Sequence, residues 1–272
     1  MQLFRVIIHQ VFRISCKFAK INLIVLGMKK IFLVLLFVPF FFSCNDENED
    51  EDFEHYVDIA TVENPSQATE FIFTLDDSTR LKAINSLIPY YRPKDGQRII
   101  VDYSLYYTNR DTTAYDYLAR INDVYEILTK GIFQITPETE DSIGNDYIHI
   151  DRMWIGSHYL NIEFVYPAYD KTHFINLVSD TSKTYTDGKI HLEFRHNANG
   201  DYPNFNRWGI VSFDIKSLEN NSAGDTLKLV IHSREYNNTT MKEYPINYIY
   251  GSQPSDIKPN REILKYNFKL NR

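Results

Sequence analysis

Hydrophobic and polar residues alternate with a period of two along most of the chain beyond residue 54. The alternation is clearest in residues 99–106, 189–194, 210–215 and 226–232. Successive side chains of a β-strand point to opposite faces, so this pattern predicts strands with one face toward a core. Asp-Gly and Asn-Gly pairs, which favour tight hairpin turns, punctuate the segments at residues 95–96, 187–188 and 199–200. The chain is therefore predicted to be all-β.

A polar, acidic stretch over residues 136–144 divides the predicted strands into two groups. We predict an OB-like barrel over residues 55–135 and an antiparallel β-sandwich over residues 145–272, with residues 136–144 as the linker. The second half is long enough to bury its own core, so we expect it to fold alone. The aromatic residues chosen for that core are Trp154, Phe164, Phe174, Phe194, Trp208 and Phe213.

A short apolar run near the N-terminus has the pattern of an export signal. Residues 31–42 follow two lysines and end at the pair Ser43-Cys44. These 12 residues are too few for a spanning helix, which needs about 20. Residues 28–43 are therefore predicted to be a lipoprotein signal peptide, whose removal leaves Cys44 to carry the lipid. The alternative is an ordinary signal peptide followed by an incidental cysteine.

The charge distribution separates this leader from the rest of the chain. Residues 1–43 contain six Lys and Arg and no Asp or Glu, so the chain from Cys44 onward has 23 basic and 36 acidic residues and a net charge of −13. Seven of the acids lie close behind the cysteine, and residues 44–54 are predicted to form an acidic tether that buries nothing. Met28 is the expected translation start, which makes residues 1–27 an upstream extension.

The composition excludes some classes of partner and favours a contact with the membrane. A net negative chain is a poor match for nucleic acid, because affinity for phosphates comes mainly from Lys and Arg. The expected membrane contact is the acyl chains, including palmitate, on Cys44. Beyond Cys44 the chain has no cysteine, so neither disulfides nor thiolate metal sites are expected. We predict a monomer.

Runs in both halves carry a resemblance to one family: residues 73–79, 91–99, 121–131, 142–146, 154–161, 173–178, 191–197 and 207–214. The chain resembles the NigD-like lipoprotein family of Bacteroidota over essentially everything from Cys44 onward. The resemblance implies an N-terminal OB-like domain and a C-terminal β-sandwich. It also implies an association with bacteriocin operons, from which an immunity role has been suggested. It brings no catalytic residues and no cofactor.

The acidic block behind the lipidated cysteine resembles the signal that exports Bacteroidota lipoproteins to the outer face of the outer membrane. We therefore predict a lipid-anchored outer-membrane protein that faces the cell surface. A plain solvated spacer would be compatible with the periplasmic face, which is the alternative.

One predicted strand carries the first candidate site. His191, Glu193 and Arg195 alternate along it and so share a face, and His173 from a neighbouring strand is a possible fourth member. The favoured interpretation is a solvent-facing, salt-linked ladder rather than a polar site. His-x-Glu can bind metal, but no further ligand follows at a recognisable spacing. Nucleophile and phosphate-binding motifs are absent, so no catalytic residue, metal or cofactor is predicted.

The second candidate is the polar, aromatic segment 197–208, which is long for a hairpin loop. Loops on rigid β scaffolds carry binding more often than strands do. Tyr202, Phe205 and Asn206 are therefore the predicted ligand-binding residues. The predicted function is a non-enzymatic binding or interaction module whose partner is a protein or a glycan. The alternatives are a bacteriocin immunity protein and an envelope hydrolase with an unrecognised site.

Overall fold

The computed structural model describes residues 54–63, 71–106, 114–219, 226–236 and 240–250. The predicted upstream extension, the signal peptide, Cys44 and all but the last residue of the tether lie outside these ranges. The described residues form thirteen strands, one short helix and one 3₁₀ turn. The prediction of an all-β protein is confirmed.

The N-terminal half is a closed five-stranded barrel. Its strands are β1 (His55–Glu63), β2 (Ile72–Leu75), β3 (Arg80–Ser86), β4 (Arg98–Tyr106) and β5 (Tyr117–Glu126). They close in the order β1-β2-β3-β5-β4, with β3 parallel to β5 and the other pairs antiparallel. Alternate side chains fill the interior, among them Val62, Phe73, Ile99 and Ile121. This arrangement matches the predicted OB-like barrel.

The C-terminal half is a β-sandwich of eight strands. They are β6 (Leu128–Ile135), β7 (His149–Gly156), β8 (Tyr159–Ala168), β9 (Phe174–Asp180), β10 (Ile190–Asn197), β11 (Phe205–Asp214), β12 (Thr226–Ser233) and β13 (Lys242–Ile249). Helix α1 (Glu140–Ile143) follows β6, and a 3₁₀ turn (Lys216–Leu218) follows β11. The strand order is β13-β12-β10-β9-β6-β11-β8-β7. Most pairs are antiparallel, but β6 with both its neighbours and β10 with β12 are parallel.

Strand β6 belongs to the sandwich rather than to the barrel. Residues 128–131 pair with β11 and residues 132–135 pair with β9, so this one strand joins the two halves of the sheet. The predicted boundary at residue 135 therefore moves to residue 127, and residues 136–144 connect two strands of one domain. Local sequence does not mark the change, because β6 follows β5 after a single residue.

The sandwich core contains three of the six chosen aromatic residues, Phe164, Phe194 and Phe213. Trp154 is buried, but it faces the barrel, and Trp208 packs only partly beside it. The choice of Phe174 is wrong, since its side chain is 49% exposed. Phe174 is the first residue of β9 and pairs with the last residue of β10, so it lies at the end of the sheet.

The barrel and the sandwich share an apolar interface. Val57, Ile59 and Ile100 point out of the barrel and pack with Trp154 and Ile210 of the sandwich. Their strands, β1 and β4, are thus covered on both faces. A strand buried on both faces is apolar along most of its length, which is why the alternation in residues 99–106 is interrupted by apolar pairs.

One buried carboxyl group of the sandwich, that of Glu163, has an oxygen without a hydrogen-bond partner among the described residues. Glu163 of β8 is 1% exposed, and its Oε1 has no hydrogen-bond partner in the part of the chain that the structure describes. The indole Nε1 of Trp208 lies nearby without completing a hydrogen bond. Burial raises the pKa of Glu163 to about 7, although Arg152 and Trp208 oppose that rise. The group is costly to ionise where it lies.

The position of β6 predicts which fragment folds. We expect residues 127–272 to unfold cooperatively in urea, and residues 145–272 not to, because only the longer fragment contains the strand that joins both halves of the sheet. Far-UV circular dichroism along a urea series measures this. Equal cooperative transitions for the two fragments would show that β6 is dispensable.

The raised pKa of Glu163 predicts a pH-dependent stability. The folded protein holds this proton up to about pH 7, whereas an unfolded chain releases it near pH 4.3, so stability from this group is complete at low pH and is lost as the pH rises through about 7. Glu163→Gln should therefore raise the free energy of unfolding at pH 8 by on the order of 3 kcal/mol and change it little at pH 4.5. Urea denaturation at the two pH values measures the difference.

Glu243→Gln is the matched control for that substitution, because Glu243 of β13 is exposed. It should leave the free energy of unfolding unchanged at both pH values. A gain for Glu163→Gln that is the same at pH 4.5 and pH 8 would contradict the assignment of the effect to ionisation.

Candidate functional site

Two loops meet at one end of the sandwich, the β8–β9 loop (residues 169–173) and the β10–β11 loop (residues 198–204). The second begins with a tight turn, in which the N–H of Asp201 donates to the carbonyl of Ala198 at 2.9 Å. Its central residues, Asn199 and Gly200, have φ angles of 54° and 63°. Positive φ at both central positions defines a type I′ turn, so the turn predicted from the Asn-Gly pair is confirmed.

The buried carboxylate of Asp201 ties the two loops together. It accepts hydrogen bonds from the backbone N–H of Tyr169 at 2.6 Å, of Asp170 at 3.3 Å and of Tyr202 at 2.9 Å. Burial alone would raise the pKa of Asp201, but these N–H groups and the ring of His173 hold it well below its usual range. The carboxylate is thus ionised and fixes the backbone of both loops.

Two cations add further links between the loops. Lys171 Nζ donates to the carbonyls of Asn199 and Gly200 at 3.2 and 2.8 Å. Arg207 donates to the carbonyl of Tyr169 at 2.7 Å. These charged groups are engaged with loop backbone, so they hold the loops in place.

The two fixed loops and the first residue of β11 display three aromatic side chains, Tyr169, Tyr202 and Phe205, which we call the aromatic platform. They are 48%, 71% and 57% exposed. The ring centroids of Tyr169 and Phe205 are 6.3 Å apart, within the range of interacting aromatic pairs. Exposed rings on a rigid backbone are available to a partner at little cost in conformational entropy.

The structure places two of the three predicted ligand-binding residues, Tyr202 and Phe205, in this platform. Asn206 is exposed as well, but it follows Phe205 in β11 and so points to the opposite face of the strand. Tyr169 was missed by sequence analysis. It reaches the platform because Phe205 pairs with Ala168, the last residue of β8, and this pairing has no local signal in the sequence.

A pair of histidines connects Asp201 to the interior behind the platform. His173 Nε2 lies 3.0 Å from the Asp201 carboxylate, and His173 Nδ1 lies 2.8 Å from His196 Nε2. His196 Nδ1 in turn lies 3.0 Å from the carbonyl of Tyr147. Burial lowers the pKa of His196; the Tyr147 carbonyl opposes that shift, and His173 adds to it. The result is a continuous chain from carboxylate to backbone carbonyl.

A second chain of the same kind involves the other end of β10. His191 Nε2 lies 3.0 Å from Asp187, and His191 Nδ1 lies 2.8 Å from His232 Nε2. The ring of Tyr185 stacks on His191, with centroids 3.6 Å apart. In a catalytic triad the histidine held by a carboxylate turns its other nitrogen to a nucleophile. Here, as in the first chain, that nitrogen meets a second histidine.

The ladder predicted from His191, Glu193 and Arg195 is salt-linked but not solvent-facing. Glu193 and Arg195 are buried. Lys183 lies 2.5 Å from Glu193, and Glu140 of α1 lies 3.1 Å from Arg195. The prediction of a solvent-facing ladder is wrong, because alternation separates two faces of a strand without showing what covers each. His173 belongs to the chain with His196 and Asp201 and not to this ladder.

Within the described ranges, no group of three or more His, Cys, Asp or Glu side chains is placed to hold a metal ion. Over the same ranges, the chain forms no helix that is both long and apolar enough to cross a membrane.

Two family models match successive parts of the chain. The NigD-like N-terminal OB domain matches residues 59–127, and the NigD-like C-terminal beta sandwich domain matches residues 131–248. The chain belongs to the NigD-like family. Residues 128–130, between the two matches of this NigD-like protein, are the first residues of β6, in agreement with the boundary observed in the fold. No curated protein matches the chain.

Three solved structures are similar to this NigD-like protein. A protein of unknown function from Bacteroides vulgatus is 26% identical, with a TM-score of 0.65 over 78% of this chain and 99% of its own. A putative toxin related protein from Parabacteroides distasonis is 25% identical, with a TM-score of 0.62 over 79% and 99%. A NigD-like immunity protein from Bacteroides caccae, 17% identical, has a TM-score of 0.56 over 72% and 97% and shows the fold alone.

Proposed function

We propose that this NigD-like protein is a lipid-anchored, non-enzymatic binding module of the cell envelope, and that its aromatic platform contacts a protein partner. One observation carries the proposal: two exposed aromatic side chains stand on loops whose backbones are fixed by a single buried carboxylate, and a third, Phe205, begins the adjoining strand β11. Such a surface is organised before any partner arrives. Pre-organisation lowers the entropy that binding must overcome.

The composition of the loops favours a protein partner. The β10–β11 segment combines Tyr, Asn and Gly, the residue types that dominate antibody paratopes. Tyrosine supplies a large, rigid, amphipathic contact area, and asparagine and glycine supply adaptable hydrogen bonding. The loops also lie at one end of a β-sandwich, where variable domains carry their binding loops.

The charged side chains near the platform also favour a protein partner. Lys171 and Arg207 are engaged with loop carbonyls, so aromatic rings and amides are the groups that the platform offers. Binding to nucleic acid depends on Lys and Arg at phosphates, and the chain from Cys44 onward is strongly acidic. A protein surface with mixed polar and apolar groups is the better match.

The proposed cellular location is based on the sequence. Lipid on Cys44 would hold the protein at the outer membrane, and the acidic tether of residues 44–54 would place the two domains away from the bilayer at the cell surface. Intact cells are therefore the setting in which a partner should be sought.

A bacteriocin immunity protein is the second candidate, and it is one kind of protein-binding module. The Parabacteroides distasonis structure, 25% identical, is described as a putative toxin related protein. The platform would then bind a bacteriocin rather than a resident envelope protein. Identification of the bound partner separates these two roles.

Site-specific photo-crosslinking in intact cells tests the proposal. A benzophenone side chain in place of Tyr202 should yield a covalent adduct of higher mass, which protease treatment of the adduct reduces. The same group in place of Tyr90, which is 79% exposed on the barrel, should yield none. Phe205→Ser should diminish the adduct at position 202 by about tenfold or more, since a central aromatic contact is often worth 2 kcal/mol or more.

Three results would contradict the proposal. The first is the absence of an adduct at position 202, and the second is an equal yield at positions 202 and 90. The third is an adduct that glycosidases, and not proteases, reduce in mass, which would identify a glycan partner instead.

A further inference from the structure

We infer that His173 is held as an imidazolium by Asp201, and that this buried charge positions the aromatic platform. The charge on His173 is a property of the protein without any partner. Only its consequence for binding rests on the proposed function, so the two can fail separately.

His196 lies at the Tyr147 end of the hydrogen-bonded chain that runs from Asp201 through His173. A backbone carbonyl only accepts hydrogen bonds, so His196 must carry a proton on Nδ1 to donate to Tyr147 at 3.0 Å. His196 is fully buried, and a neutral ring is the favoured form there. A neutral imidazole has one N–H. The other nitrogen of His196, Nε2, is therefore an acceptor.

The acceptor nitrogen of His196 faces His173. His173 Nδ1 lies 2.8 Å from His196 Nε2, so it must supply the proton in this contact. Both nitrogens of the His196 ring are then satisfied: one donates to a carbonyl, and the other accepts from His173.

The Asp201 carboxylate lies at the other end of the hydrogen-bonded chain. Asp201 accepts three backbone N–H groups, and an ionised carboxylate is an acceptor only. The contact of 3.0 Å between His173 Nε2 and Asp201 therefore requires a proton on Nε2. His173 thus carries protons on both nitrogens, which is the charged form.

The surroundings of His173 fit a single positive charge. The titratable groups that face it are Asp201 from the β10–β11 loop, His196 from β10 and Tyr166 from β8, whose ring centroid is 5.0 Å away. Asp146 acts on His196, and Arg207 acts on Tyr166. The carboxylate in direct contact is Asp201, so the imidazolium and the carboxylate form a buried pair.

This pair has a consequence for the loops. Asp201 holds the backbone of Tyr169 and Tyr202, and His173 holds Asp201 against the sandwich through His196. Loss of the charge on either partner would leave a buried ion without its counter-ion, which is strongly unfavourable. The two loops would then separate, and the platform would lose its arrangement.

Acid should also open the loops. The pKa of His196 is lowered by burial, so an opened loop takes up a proton more readily than the closed one. A second proton on His196 would set two N–H groups against each other at the contact with His173. Uptake of that proton by His196 therefore weakens the closed arrangement as the pH falls.

Nitrogen-15 NMR of the histidine rings tests the protonation state in the folded protein without any partner. At pH 7.5 we expect His173 to show two protonated ring nitrogens and His196 to show one, with His173→Gln and His196→Gln used for assignment. A His173 ring with one unprotonated nitrogen at this pH would overturn the inference.

Hydrogen exchange tests the positioning role, with the second histidine chain as the matched control. Asp201→Asn should speed exchange of the Tyr169 and Tyr202 amides by about tenfold or more and remove one proton from His173. Asp187→Asn, the same change beside His191, should alter neither. Unchanged exchange in Asp201→Asn, or equal acceleration in both variants, would overturn the positioning role. A charged His173 in a protein that forms no adduct at position 202 would contradict the proposed function and leave this inference intact.

Discussion

Asp76 and Arg98 both belong to the barrel, yet most of the other groups that share their hydrogen bonds come from the sandwich. The two side chains form a bidentate ion pair at 2.7 and 3.1 Å. Asn161 accepts from Arg98 and donates to Asp76, and the indole of Trp154 also donates to Asp76. Thr61 of the barrel accepts a further hydrogen bond from Arg98 at 3.0 Å, and Arg98 Nε has no hydrogen-bond partner among the described residues. A buried ion pair is favourable only when additional hydrogen bonds offset its desolvation, so the barrel pair depends on the sandwich beside it.

This dependence shapes the surrounding sequence. Gly156 ends β7 against Asp76, and a Cβ at that position would lie 2.2 Å from the carboxyl carbon, so a larger residue would push the ion pair apart. Ser212 of β11 donates to Asn161 and orients its amide. The apolar side chains of the interface surround these groups. The sandwich that carries the platform is in this way anchored to the barrel.

The sequence predicted what local patterns encode and missed what long-range pairing decides. Alternation located the strands and the family resemblance gave both domains, but nothing local showed that β6 pairs with β9 and β11. Asp76 lies in a segment that predicts only a turn, and its role depends on residues some 80 positions away. Tyr202 and Phe205 stood out as aromatic loop residues, whereas Tyr169 and Asp201 gained their roles from the register of β8 with β11.

The Asp76–Arg98 pair couples the two domains, and the unfolding of Arg98→Met tests this coupling most directly. Trp154 and Trp208 are the only tryptophans, and both lie at the interface, so their fluorescence reports its loss while circular dichroism reports the strands. In the native protein both signals should change together along a urea series. In Arg98→Met, which removes one partner of a buried pair at a cost of about 3–5 kcal/mol, fluorescence should change at lower urea than circular dichroism. Coincident transitions with an unchanged midpoint would contradict the claim.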